Sequence, residues 1–516
     1  MKTIDLQKFL NWSKSKNVVI VILLIIVFLG GILRLYHLGA NPLVADEFLD
    51  MNSSYGYFKT HIWQAWDFNM DAPSNIDVYA ARDERAWPYK WQVAQLFRFF
   101  PSTEAAARSL SVIWGLISVF AVYWAAKSFT KKKSIGLLGA FLFAVSATAI
   151  AFDRKLRMYA MFYPMFLLMS LFLFQFLEAD YHGKIRLVKF FYDKFKINVL
   201  FLVPFLVTAL IGISIQLLSV NILPVFLVYI LIQAIISARR KDYVNKYSII
   251  LGLSIIAAIA AFITVPQIIV YYSGVLKFFI NNHGYLTDIL RDYSNYPLAI
   301  ILLISGIYFL RQQKLSRESW WLSLSFFVPL LMAAFMWQRT QGIQYVFFLQ
   351  SFLIILIATG IYFWALYLRN RLVKFPQKAF YTVIILALLI LPDYGYFFRN
   401  DTTYQRGNNQ IADYRKVFKY VKKNLKPGDV LLTRNFRNYY FSGAKVKVFD
   451  FGGERATHDL SVADIQQIQN QNPHGWVVLF DNDEDFINKE AINYIKQNFT
   501  QVDNSQVRGA SDAYTW

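Results

Sequence analysis

Two adjacent acids, Asp46 and Glu47, follow a long apolar run in "LRLYHLGANPLVADEFLDMNSSYGY". Two carboxylates beside a low-dielectric medium are what a general base or a divalent cation site requires. The same pair is also an ordinary helix start, an N-cap followed by a first-turn acid. Neighbours on a helix point about 100° apart, so one acid can face a reactant while the other braces it. A second group, "AFDRKLRMYAMFYPMF", crowds Asp153, Arg154, Lys155 and Arg157 into a very short turn, and Tyr159 begins the next apolar run. Charges at such a boundary are expensive unless paired or used. A guanidinium there suits a phosphate held at the membrane surface. The alternative is a local salt bridge from Asp153 to Arg154 or Arg157. A third cation, Arg339 in "MWQRTQGIQYVFFLQ", lies near Gln344 and Tyr345. It either binds an anionic headgroup or snorkels to the interface. The stretch "WDFNMDAPSNIDVYAARDERAWPYKW" holds a second acidic pair, Asp83 and Glu84, flanked by Arg82 and Arg85. Trp63, Trp66, Trp87 and Trp91 could stack on sugar faces or form an interfacial aromatic belt.

The elements that must position these groups are written in the composition. The chain has 516 residues, 56% apolar, 18% aromatic and 17% charged. Soluble proteins average about 45–50% apolar and about 25% charged. Intrinsic disorder, fibrous repeats and a fully soluble enzyme are excluded. The absence of cysteine excludes disulfide scaffolds, iron–sulfur clusters, thiolate zinc sites and cysteine catalysis. A membrane-spanning helix takes about 20 apolar residues. Eleven runs qualify: 18–38, 107–128, 135–152, 158–178, 198–218, 220–238, 248–272, 298–310, 319–338, 344–368 and 379–397. The eighth is the shortest. The first has no small-residue cleavage site after it and is expected to be a retained helix.

Lysine and arginine set the orientation. Segments 1–17, 127–133, 179–197, 239–246, 311–318 and 369–378 carry 24 cations and five acids. All six fall on one side if the eleven spans alternate. That side is expected to be cytoplasmic, with the amino terminus. The net charge of +20 therefore reflects topology and contact with anionic membrane lipids, and no nucleic-acid partner is expected. Loop 39–106 and the tail 399–516 then lie outside. The loop is expected to form interfacial helices. The tail opens with "ADYRKVFKYVKKNLKPGDVLLT", an amphipathic helix, a Pro-Gly-Asp turn and a strand. "VKVFDF" and "GWVVLFD" read as buried strands and 484–498 as another helix. The expected architecture is a polytopic α-helical membrane protein. Residues 1–398 form its transmembrane domain and 399–516 a small extracytoplasmic α/β domain. The tail has no Gly-rich phosphate loop, so it reads as a scaffold or acceptor-docking module.

The order "LRLYHLG", "ADE", "LRMYA" and "DYRKVFKYVKKNLKPGDVLL" resembles the GT-C fold membrane glycosyltransferases. Within them it is most similar to the prokaryotic branch related to protein O-mannosyltransferases and lipid A aminoarabinose transferases. The resemblance covers the whole chain in layout and is sharpest at Asp46–Glu47 and Arg157–Tyr159. It implies Asp46 as catalytic base, Glu47 as the acid that positions acceptor or metal, and Arg157 as a donor-phosphate contact. Lys155, Tyr159, Arg85 and Arg339 are further phosphate candidates. Asp83, Glu84, Tyr89 and Tyr345 are substrate-binding candidates. Relatives often carry His-Pro-Pro or Lys-Pro-Pro in the first loop. Here the stretch is Arg85-Ala86-Trp87-Pro88-Tyr89, which lacks a histidine for a metal. A late Arg-Tyr of the family is Gln344-Tyr345 here, with Arg339 as the substitute. A divalent metal cofactor stays open.

The implied activity is transfer of a sugar from a polyprenyl phosphate to a hydroxyl on a glycan, lipid or protein acceptor, at the extracytoplasmic face and with inversion. The alternative is a transporter or flippase for a lipid-linked or polar solute. That class would place ionisable residues deep in the spans and broken helix pairs in repeated halves. These spans hold few charges and no visible repeat. The topology is directly testable, because the chain has no cysteine of its own. Single cysteines at Ser134, Ser316 and Ser442 should react with an impermeant thiol reagent in intact cells only at Ser442. Labelling at Ser134 or Ser316 would overturn the orientation.

Overall fold

The computed structural model describes residues 16–74, 83–264, 267, 280–290, 292–338, 342–371, 377–391, 414–451, 460–480, 483, 486–503 and 511–516. The chain divides into two compact units. One comprises Met1–Tyr36, Ser111–Asp153 and Met158–Tyr394, and the other His37–Leu110, Arg154–Arg157 and Gly395–Trp516.

The first unit is a bundle of apolar helices. Seven are long and apolar enough to cross a membrane: Asn17–Leu35, Glu104–Thr130, Tyr159–Glu178, Leu217–Arg239, Lys246–Thr264, Ser316–Phe335 and Phe347–Arg371. Two further pairs reach that length only together. Lys133–Ala144 and Ala147–Asp153 bend by 62°, and Arg186–Phe195 and Val199–Ile215 by 114°. Tyr296–Gln312 and Tyr381–Ile390 are apolar but shorter. Length and composition thus give seven spans among the described residues, or up to nine if each bent pair counts. The two short helices lie in the eighth and eleventh of the expected runs. Ile25, Phe28, Leu210 and Ile263 stay exposed, as the lipid-facing side of such helices requires.

Helices Tyr296–Gln312 and Gln350–Arg371 meet through glycines. A methyl at Gly306 would overlap the Leu356 carbonyl, and one at Gly360 the Leu302 carbonyl. Small residues let such backbones approach in lipid, where packing rather than water drives association. The bend after Ala144 also has a polar cause. The Ser146 hydroxyl donates to the Asp292 carboxylate, and the same carboxylate accepts from Thr148 N at 2.7 Å.

Ion pairs fix the helix ends of this unit. The Glu178 carboxylate lies 3.1 Å from Lys246 and 2.9 Å from Arg317, and accepts from Tyr229 and Tyr247. Lys131 lies 3.7 Å from Glu318. These pairs bring Lys131, Lys246 and Arg317, from basic segments 127–133, 239–246 and 311–318, close to one another around Glu178 and Glu318. Asp153 departs from expectation. Its partner is Arg34, whose Nε donates to it at 2.8 Å with both groups buried, and not Arg154 or Arg157. The same guanidinium donates to the Ala144 carbonyl at 2.8 Å. The packing of two helix ends, invisible in local spacing, decides the pair.

The second unit joins the first loop to the tail. The loop contributes helix Ala45–Thr60, the strands β1 (Trp66–Asp67) and β2 (Ala72–Pro73), and helix Trp87–Leu96. β1 and β2 pair antiparallel, Trp66 against Pro73. The tail contributes helices Tyr414–Asn424, Val462–Gln471 and Lys489–Asn498. Its strands are β3 (Val430–Leu432), β4 (Lys447–Phe449), β5 (Gly475–Phe480), β6 (Thr500–Gln501) and β7 (Ser511–Thr515). The sheet order is β4-β3-β5-β7-β6. β3 runs parallel to β4 and β5, whereas β7 is antiparallel to β5 and β6. This is the α/β region the tail's alternating pattern predicts. The Pro-Gly-Asp turn before β3 uses Gly428 at φ 89°, the left-handed region that favours glycine. Ser461 caps one tail helix through Asp464 N, and Asn488 caps another through Ala491 N.

Helix Ala45–Thr60 and the turn at Asn69 pack against the tail. Phe48 meets the rings of Tyr414, Phe436 and Tyr440 at 5.3, 5.7 and 5.4 Å. Arg415 Nε donates to Glu104 at 2.8 Å. Asn69 exchanges hydrogen bonds with the Val446 backbone, donating at 2.8 Å and accepting at 3.1 Å.

Candidate active site

Helix Ala45–Thr60 begins at Val44, which has no side chain to cap it. Glu47 does that work from the third helical position, accepting from Val44 N at 3.0 Å. Its two oxygens also receive the Arg108 guanidinium, at 2.8 Å from Nε and 2.7 Å from Nη2. Leu156 N donates to it at 2.6 Å. Arg108 Nη1 and Nη2 reach the carbonyls of Asn41 and Pro42 as well. Glu47 is buried. Burial alone would raise its pKa, but the Arg108 charge and the hydrogen bonds from Arg108, Leu156 and Val44 outweigh it and hold the carboxyl below its usual range. Glu47 is therefore ionised at neutral pH and ties three segments together: the helix start, the beginning of helix Glu104–Thr130 through Arg108, and the turn 154–157.

Asp46 has the opposite environment. Its side chain is 63% exposed and touches Arg157 Nη2 at 3.2 Å. Arg157 is nearly buried and is fixed from below by Asp50, 2.7 Å from Nη1. Asp50 is one helical turn beyond Asp46, so both acids line the same helix face. The buried Lys90 ammonium lies 3.5 Å from the other oxygen of Asp50 and donates to the Asp83 carbonyl at 3.4 Å. The row Asp46, Arg157, Asp50, Lys90 alternates in charge from the exposed end inward.

Two lysines are pulled toward neutrality. Burial lowers the pKa of Lys90 against the raising effect of Asp50 and Asp83. Burial also lowers that of Lys155, with Glu47 and Asp46 opposing and Arg108 and Arg157 assisting. Asp83 is pushed up to about 6, chiefly by burial, with Lys90 acting the other way.

The structure thus gathers Asp46, Glu47, Lys155 and Arg157 in one unit, and Asp83 joins them through Lys90. Glu84 and Arg85 are exposed just before helix Trp87–Leu96, whereas Tyr89 within that helix is fully buried. Tyr159 and Tyr345 belong to the other unit, where Tyr159 is buried edge-on to Phe152 and Tyr345 is half-buried. Arg339 lies outside the described residues. Asp50, Lys90 and Arg108 are absent from the sequence reading. The Asp46/Asp50 spacing of four was the signal for Asp50. Lys90, in an aromatic stretch, and Arg108, 61 residues from Glu47, gave no local sign.

A resident divalent cation does not fit the acids on this helix turn. Glu47 is committed to Arg108 and Asp50 to Arg157 and Lys90, so Asp46 alone of the three keeps its oxygens toward solvent. Among the described residues no three His, Asp or Glu side chains are grouped to hold a metal ion.

The Glu47–Arg108 pair has a testable energetic signature. Breaking a buried pair by removing one partner typically costs about 3–5 kcal/mol. Glu47→Gln should therefore lower the thermal midpoint of the detergent-purified protein at neutral pH. Because the folded pKa lies below the ordinary value of 4.5, the wild-type advantage is full above that value and shrinks as pH falls through the folded pKa. Differential scanning fluorimetry across pH reads both trends. Equal midpoints at pH 7 would contradict the assignment.

No family model matches the chain, and neither does any curated protein sequence. Solved structures do. The oligosaccharyltransferase of Archaeoglobus fulgidus, tethered to an acceptor peptide with the NVT sequon, superposes with TM-score 0.55 at 11% identity, covering 91% of this chain and 70% of that one. The ArnT protein of Cupriavidus metallidurans superposes with TM-score 0.54 at 10% identity, covering 96% of this chain and 97% of the other. The archaeal enzyme was also solved with zinc and sulfate, at TM-score 0.52, 11% identity and coverage of 96% of this chain and 72% of that one. The chain therefore has the GT-C fold, the architecture of these membrane transferases.

Proposed function

We propose that the protein is a membrane glycosyltransferase that moves a sugar from a polyprenyl-phosphate donor to an acceptor hydroxyl at the extracytoplasmic face. One observation carries the reading: an exposed carboxylate, Asp46, touches a buried and braced guanidinium, Arg157, on a GT-C scaffold. The structural neighbours support the donor class. The Archaeoglobus fulgidus oligosaccharyltransferase has been solved with a dolichol-phosphate, and Cupriavidus metallidurans ArnT with undecaprenyl phosphate. The segregation of 24 cations to alternate loops supports a cytoplasmic amino terminus and an external site.

In this mechanism Asp46 accepts the proton of the acceptor hydroxyl. The freed oxygen attacks the anomeric carbon from the face opposite the phosphate. The carbon–oxygen bond to phosphate breaks, its electrons leave with the phosphate, and one displacement inverts the centre. Arg157 meets the charge that grows on the leaving oxygen, assisted by Lys155. Without donor, Arg157 satisfies its N–H groups on Asp46 and Asp50. A phosphate would compete with Asp46 for the outer ones and free that carboxylate to act as base. Glu47, held ionised by Arg108, positions the turn that carries both groups and takes no proton. No step passes through a metal.

Asp46→Asn should keep the fold and donor binding while transfer falls by about 10²–10⁴-fold, the usual cost of losing a general base. The assay is turnover by purified protein with lipid-linked donor and acceptor extracted from the native membrane. If Asp46 only starts the helix, asparagine serves about as well and activity is unchanged. Wild-type turnover by this variant would overturn the catalytic role.

A further inference from the structure

Between the span Tyr159–Glu178 and the apolar helix Val199–Ile215 lies a short helix, Arg186–Phe195, with the sequence RLVKFFYDKF. At 100° per residue its apolar side chains, Leu187, Val188, Phe190, Phe191 and Phe195, fall on one side. Arg186, Lys189 and Asp193 fall on the other. Only Val188 is buried, while Leu187 is 65% and Phe190 55% exposed. The helix breaks from the following apolar helix by 114°, which turns it across the direction of that helix. That following helix also exposes Val203, Leu206 and Leu210, as a lipid-facing side requires. The Lys194 ammonium lies 5.7 Å over the Phe190 ring and 5.4 Å over that of Phe195, a cation–π position within the apolar side. Residues 184–196 carry five cations against one acid. Tyr192 donates to Asp180 at 2.8 Å, and Asn198 N donates to the Phe176 carbonyl at 2.8 Å, which ties the C-terminal half of the helix to the end of the span Tyr159–Glu178.

We infer that helix Arg186–Phe195 is an in-plane membrane anchor that seats Leu187 and Phe190 among acyl chains and binds anionic lipid headgroups through Arg186 and Lys189. The occupant is a lipid surface because the exposed face is both apolar and ringed by cations, the pattern of interfacial helices. The inference stands on the membrane unit alone and does not depend on the transferase reading.

The cysteine-free chain makes the test direct. Leu187→Cys, Phe190→Cys and Lys189→Cys, each spin-labelled in the full-length protein, are reconstituted in bilayers of phosphatidylcholine alone or with phosphatidylglycerol. Labels at 187 and 190 should be more accessible to oxygen than to a water-soluble nickel chelate, and the label at 189 the reverse. Phosphatidylglycerol should deepen the labels at 187 and 190, and Arg186→Gln with Lys189→Gln should abolish that deepening at 190. Nickel-accessible labels at 187 and 190 would overturn the anchor. Labels shielded from both reagents would mean a protein partner and would overturn it equally. Immersion that ignores phosphatidylglycerol would overturn the headgroup assignment.

Discussion

The Glu47–Arg108 pair is the interaction on which the candidate site rests. It is buried, bidentate and supplemented by two backbone donors, Val44 N and Leu156 N. Those donors come from segments more than a hundred residues apart in sequence. The carboxylate therefore does three tasks. It starts a helix that lacks a capping side chain, holds the beginning of helix Glu104–Thr130, and draws in the turn that delivers Lys155 and Arg157. An ion pair taken out of water is stabilising only when its geometry and remaining hydrogen bonds are satisfied, and here they are. The neighbours Asp46 and Glu47 consequently have unlike environments: one is solvent-facing, the other sealed and ionised. Divergent surroundings for paired acids allow unlike roles, which is the basis for proposing one as the base and the other as a positioning group.

Charge alternation organises what that pair positions. Arg157 would be costly at its depth without Asp50, and Asp50 without Arg157 and Lys90. The outermost acid, Asp46, is the member of the row that a ligand can replace at the guanidinium. A phosphate arriving there would exchange one anion for another without stranding a buried charge. The aromatic contacts of Phe48 with Tyr414, Phe436 and Tyr440 then lock the helix carrying Asp46 and Asp50 against the tail. This gives the α/β region a structural share in the site, since its core and the helix face are parts of one compact unit.

Much of this was legible in the sequence, and the exceptions have physical causes. Hydropathy located the apolar helices because burial in lipid demands long unbroken runs. It could not register the bend at Ser146, which follows from the distant Asp292. The tail strands were legible because "GWVVLF" is buried along nearly its whole length. Asp46, Glu47 and Arg157 stood out as charges at boundaries where charge is expensive. The pairing of those charges was not legible: Asp153 chose Arg34 across the bundle, and Glu47 chose Arg108. Asp50 could have been found from its spacing to Asp46. Lys90 could not, because a lysine among tryptophans and a tyrosine reads as an interfacial residue until the fold surrounds it with Asp50 and Asp83. The union of first loop and tail depends on ring contacts between segments with no shared pattern.

The account turns on Arg157 as the group that receives the donor phosphate while Asp46 receives the proton. Direct binding of radiolabelled undecaprenyl phosphate to purified protein separates these roles without any turnover. Arg157→Ala should lose most of the binding, Arg157→Lys should keep part of it because the charge remains without the planar fork, and Asp46→Asn should bind at least as well as wild type. Wild-type binding by Arg157→Ala, in protein with an unchanged thermal midpoint, would contradict the account.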